Sequence, residues 1–121
     1  MDILKTIRSH RYAWHGMVHI WKFHQNIRFH ILTAIVAIVL SFFLNVSYIE
    51  YLFILITIFF VIITEMMNTA IEEMTNLITT EHRKEAKIAK DVAAGAVFLS
   101  AAFAIIVGLI IFLPKILDLV F

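Results

Sequence analysis

No cysteine occurs among the 121 residues, which excludes a disulfide framework, a thiol nucleophile and a Cys-based metal site. Glycine is nearly as scarce: Gly16, Gly95 and Gly108 stand alone, and none builds a Gly-rich loop that could cradle phosphates. Charge of one sign is also missing, since 10 Lys and Arg nearly cancel 9 Asp and Glu to leave +1, so the balance gives no reason to expect a nucleic-acid partner. The basic amino-terminal stretch lacks a short apolar segment with a cleavage site. The first long apolar run begins only near Ile31, and no removable signal peptide is expected.

What the chain has is hydrocarbon. It is 62% hydrophobic with a mean hydropathy of +0.93, far from a soluble domain. Charge-free runs extend over Ile31–Ile49, over Tyr51–Thr64 and on past Glu65 into MMNTAI, and over Val92–Pro114. Each is long enough to cross a bilayer as a helix. The alternation that barrel strands need is absent, and a helix satisfies every backbone group within one segment. The expected fold is therefore an all-α integral membrane domain over 1–121. Transmembrane helices are expected at 28–47, 50–79 and 86–113.

Lys5, Arg8, Arg11, Lys22 and Arg28 precede the first span, and Arg83, Lys84, Lys87 and Lys90 separate the second from the third. The connection at 45–50 has no cation. By the positive-inside rule the amino terminus and second loop face the cytoplasm, and the first loop and carboxy-terminal tail face outward.

Over 2–25, Leu4, Ile7, Trp14, Val18 and Trp21 share one helical stripe while Lys5, Arg8, His15, His19 and Lys22 point elsewhere. This pattern predicts an amphipathic helix lying in the interface among membrane lipids. His15 and His19 also have helical zinc-ligand spacing, but the sequence supplies no third ligand. In the last span, small residues recur at Ala96, Ser100, Ala104 and Gly108, a ridge that permits close helix approach. Three short helices offer little cover for polar groups, so ridge and polar stripe together suggest a homo-oligomer; the alternative is that the ridge packs within its own chain.

The polar stripe is Glu65, Asn68 and Glu72, on one face of an otherwise apolar helix. A carboxylate at bilayer depth costs a few kcal/mol and usually marks a functional site. Counted from Glu50 at about 1.5 Å per residue, Glu65 lies ~22 Å along the helix, toward the cytoplasmic side. Glu65, the deeper of the two carboxylates, suits a general base for an alcohol. Glu72, nearer water, suits a hard cation such as Mg2+, which takes oxygen ligands and bridges carboxylates to phosphates. Lys90 can neutralise phosphate charge, Asn68 can position a substrate or bridge helices, and Asp91 can orient Lys90 or cap a helix start.

The stretches EMMNTAIE at 65–72 and AKIAKDVAAGA at 86–96, with YAWHG at 12–16 and NIRFH at 26–30, resemble the small bacterial membrane kinases that phosphorylate diacylglycerol or undecaprenol. The likeness covers nearly the whole chain. It implies a homotrimer in the bacterial inner membrane, with active sites shared between protomers. It implies Glu65 as catalytic base and Glu72 as the ligand of Mg2+ and ATP. Lys5, Tyr12, Glu81, His82, Arg83, Lys90 and Asp91 are implied as ATP contacts, and Trp14, Asn68 and Ala94 as positioning residues.

Two features depart from the family pattern. His24 stands where relatives carry a second metal-binding Glu, and imidazole suits zinc or a softer metal better than Mg2+. The loop reads EHRKE where relatives often show His-His-Pro. The AKIAKDVAAGA phrase and the GLIIFLPK ending resemble the undecaprenol branch more closely. Diacylglycerol is the alternative acceptor, and a non-catalytic assembly or ion relay using Glu65 and Glu72 is the alternative of another class.

Overall fold

Four helices account for almost all of residues 1–121, which the computed structural model describes in full: α1 Ile3–Phe23, α2 Gln25–Phe43, α3 Tyr48–Ile78 and α4 Lys84–Val120. There is no strand. The helices α2, α3 and α4 are each long and apolar enough to cross a membrane. At about 1.5 Å per residue, α3 and α4 run roughly 46 and 55 Å, well beyond a ~30 Å hydrocarbon core, so both project past it.

Local chemistry sets the boundaries. Asp2 caps α1 by accepting from the backbone N–H groups of Leu4 and Lys5. His24, in extended conformation, ends α1 and begins α2. At the end of α2, the Val46 N–H donates to the Ser41 carbonyl and the Asn45 N–H to the Phe42 carbonyl, with Asn45 at φ 50. This is the Schellman arrangement, which needs a left-handed residue and here uses Asn in place of Gly. Ser47 and Glu50 then form a reciprocal capping box that starts α3.

The last helix runs further than the expected end at 113. It continues through Pro114 to Val120, although proline supplies no N–H to the Ile110 carbonyl one turn back. One contact holding this segment is Lys115, whose Nζ donates to Glu50 at 3.1 Å and ties the end of α4 to the start of α3.

The interior is polar, in reverse of a soluble core. Of 13 buried residues, seven are Ser41, Thr57, Glu65, Asn68, Thr69, Thr75 and Ser100, while large apolar side chains cover the outside. Ser41, Thr57 and Thr75 donate to carbonyls four residues back, so these hydroxyls need no partner across the bundle. The most extensive helix contact is α3 against α4, where the Thr64 and Ser100 hydroxyls meet at 2.8 Å. Ser100 is buried and Ala104 and Gly108 half-buried, so much of the small-residue ridge packs inside the chain, while Ala96 is exposed. Glu65 and Asn68 are likewise covered within one chain, at 3% and 6% exposure. Enclosing them does not by itself demand further subunits, contrary to the sequence argument.

Candidate active site

Glu65 is held in the middle of α3 with its carboxylate facing α2. Opposite it on α2 is His30, whose Nε2 lies 3.7 Å from Glu65 Oε2, longer than a hydrogen bond. Both side chains are largely covered. Sequence spacing along α3 could not pair Glu65 with a residue on α2, so His30 appeared only within the NIRFH stretch.

One turn on, Asn68 Nδ2 donates to Glu72 Oε1 at 3.3 Å. Two members of the stripe read from the sequence are thus physically joined. The other end of the amide, Asn68 Oδ1, is buried with no partner, and so is the Thr69 hydroxyl beside it. A buried polar atom left unpaired costs about 1–3 kcal/mol, so these two are candidates for a bound ligand.

Beyond Glu72, the end of α3, the loop and the start of α4 surround a polar cavity of about 710 Å³. Its lining gathers Glu81, His82, Arg83, Lys90 and Asp91 from the expected nucleotide contacts, and adds Lys87. Lys90 is half-buried, and its Nζ donates to Asn76 Oδ1. Asn76 continues the 65–68–72 stripe by one more turn, a spacing that signals it in the sequence. Asp91 accepts from Lys87 rather than orienting Lys90.

A second cavity of about 410 Å³ lies between α2, α3 and α4, with a mostly apolar lining that includes Phe29, Ala37, Ile58, Val61 and Gly108. His30 lines it too. The residue beside Glu65 therefore also faces this groove. On α3 the groove takes residues between 54 and 61 and the polar cavity Thr75 and Asn76, with Glu65, Asn68 and Glu72 between them.

Other expected site residues fall elsewhere. Lys5, Tyr12 and Trp14 on α1 and Ala94 on α4 are exposed and line neither cavity. His24 turns its Nε2 to Glu73, not to Glu72, at 3.0 Å, and His19 approaches the same Glu73 oxygen at 2.9 Å. His15 takes no part in that cluster, so the zinc-spaced His15 and His19 pair is not what the fold brings together.

The profile of the prokaryotic diacylglycerol kinase family matches residues 11–112. The chain is 37% identical over 114 residues to the undecaprenol kinase of Bacillus subtilis, covering 94% of this chain and 93% of that protein. It is 39% identical over 112 residues to a diacylglycerol kinase of Synechocystis, 92% of this chain but 64% of the relative's length. To the diacylglycerol kinase of Escherichia coli it is 26% identical over 102 residues, 84% of each. With three apolar helices, a buried carboxylate between an apolar groove and a basic cavity, and this match along most of its length, the chain belongs to the prokaryotic diacylglycerol kinase family of membrane lipid kinases.

Proposed function

We propose that the protein transfers the γ-phosphate of ATP to the hydroxyl of undecaprenol at the cytoplasmic face of the bacterial inner membrane. The observation that carries this reading is the order of features along α3: apolar groove, buried Glu65, the Asn68–Glu72 pair, then the basic cavity. A lipid alcohol and a nucleotide reaching the stripe from opposite ends would meet at Glu65. The similarity to the Bacillus subtilis enzyme favours undecaprenol, and the similarities to diacylglycerol kinases keep diacylglycerol as the second acceptor.

In this mechanism the phosphate chain extends from the cavity, where Lys90, Arg83 and Lys87 balance its charge, along the Asn68–Glu72 pair toward Glu65. The acceptor tail occupies the groove, and its hydroxyl reaches Glu65, which takes the proton as the oxygen attacks the γ-phosphorus; the bond from that phosphorus to the β–γ bridging oxygen breaks, and ADP leaves with the oxygen. His30 faces that carboxylate from α2. Phosphoryl transfer asks mainly for positioning and charge stabilisation, which rigid helices supply well.

The donor set fits a hard cation: Glu72 brings a carboxylate and Asn68 Oδ1 an unpartnered buried oxygen, while Mg2+ prefers oxygen ligands shared with substrate phosphates. When bound there, Mg2+ would supply charge neutralisation on the phosphates. In this reading the amphipathic α1 lies in the interface, and the basic residues of the amino terminus and second loop support a cytoplasmic cavity with the carboxy terminus outside. The assembly is a homotrimer with shared sites. This agrees with Lys5, Tyr12 and Trp14 lining neither cavity of their own chain, which leaves them available to a neighbour.

Glu72→Gln tests the cation and nucleotide assignment. Loss of ATP-dependent lipid phosphorylation with the oligomer intact supports it. Unchanged turnover contradicts it.

A further inference from the structure

We propose that His19, His24 and Glu73 form a binding site for a zinc-class transition-metal ion, separate from the Asn68–Glu72 pair, that staples the end of α1 to the cytoplasmic end of α3. Each residue offers one ligand atom, and all three atoms lie within 4.8 Å of one another. The His19 and His24 Nε2 atoms converge on a single oxygen, Glu73 Oε1, at 2.9 and 3.0 Å. Without a cation, this convergence requires both imidazoles to present a hydrogen to the same atom. A metal ion instead takes lone pairs from all three ligands.

Ligand chemistry selects the ion. Two imidazoles and one carboxylate match the His2Glu set of three-ligand zinc sites, which leaves a fourth position for water or substrate. The same set is poor for Mg2+, which wants oxygen ligands in octahedral array. Nitrogen donors favour Co2+, Ni2+, Cu2+ and Zn2+ instead. Exposure suits entry of an ion from water: the side chains of His19 and Glu73 are about half exposed, at 49% and 50%, and that of His24 is 24% exposed.

Position supplies the consequence. His24 is both the last cap of α1 and the first of α2, and Glu73 lies 54 residues beyond His19, on α3. Ile20 is the only buried residue of α1, so few packing contacts fix that helix. A metal held by all three residues fixes the angle at which α1 leaves the bundle. The inference is independent of the kinase reading, because none of its three ligands takes part in the proposed phosphoryl transfer, and His24 meets Glu73.

The test is direct metal binding to the full-length, tag-free protein in detergent, stripped with a chelator. Titration with Co2+ is followed by visible absorption, and Zn2+ and then Mg2+ are used as competitors. One Co2+ per chain is expected, displaced by equimolar Zn2+ and not by millimolar Mg2+. His19→Gln and Glu73→Gln should each weaken Co2+ binding by more than the roughly 10- to 100-fold that loss of an outer-shell partner alone brings. His15→Gln, one turn from His19 and outside the cluster, should leave it unchanged, and circular dichroism and gel filtration establish that every variant is folded. Absence of Co2+ binding by the unaltered protein overturns the proposal. So does binding that survives both substitutions or is lost in His15→Gln. These readouts do not depend on phosphoryl transfer, so an inactive kinase with an intact metal site remains distinguishable from the reverse.

Discussion

His30 on α2 and Glu65 on α3 face each other across the bundle at 3.7 Å, with side chains 16% and 4% exposed, and His30 also lines the apolar groove. The pair joins the groove to the carboxylate assigned as base. If Glu65 takes the acceptor proton, Glu65→Gln should lower kcat by about 10²- to 10⁴-fold, the usual contribution of a positioned base. His30→Ala should lower kcat less, with KM for ATP unchanged in both variants. Steady-state kinetics in mixed micelles checks this; a full-rate Glu65→Gln variant contradicts the base assignment.

Lys90 meets Asn76 at the wall of the basic cavity. A hydrogen bond to a charged group is worth about 1.5–3 kcal/mol. Lys90→Ala should therefore raise KM for ATP by about 10- to 100-fold and leave KM for the lipid unchanged. Nucleotide binding measured by calorimetry should weaken in parallel.

Ser100 is 1% exposed and shares a hydroxyl contact with Thr64, so it marks how closely α3 and α4 approach. Ser100→Ala should cost little, about 0.6 kcal/mol, as is usual for hydrogen bonds between helices in membranes. Ser100→Leu forces bulk into the same contact and should cost about 1–3 kcal/mol. Reversible unfolding in mixed detergent gives both values.

Asn45 takes the left-handed conformation that closes α2. A residue with a β-carbon and no local polar compensation loses roughly 1–2 kcal/mol there. Asn45→Ala should lower stability by about 1 kcal/mol while Asn45→Gly keeps it. Equal stability of the two variants would contradict the account of this turn.

The chain's class and its three spans were legible because charge-free runs and helical spacing are local properties, and Glu65, Asn68 and Glu72 were legible because they share one helix face. Asn76 was available on the same spacing. His30 and Glu73 were not, since each gains its meaning from a partner on another helix, and no spacing within one helix encodes that. The continuation of α4 past Pro114 was hidden for the same reason: one of its contacts, from Lys115, is to Glu50 at the far end of α3. His24 stands where relatives carry a metal-binding Glu, and its partner in the fold is Glu73, a pairing between helices that sequence spacing does not encode.

The central claim is tested most directly by purifying the protein in detergent and measuring Mg2+-dependent transfer of labelled γ-phosphate from ATP to undecaprenol and to diacylglycerol side by side. The account predicts transfer to both or to undecaprenol alone, with the higher kcat/KM for undecaprenol. Transfer to neither lipid, by protein that is folded and still binds ATP, would contradict it.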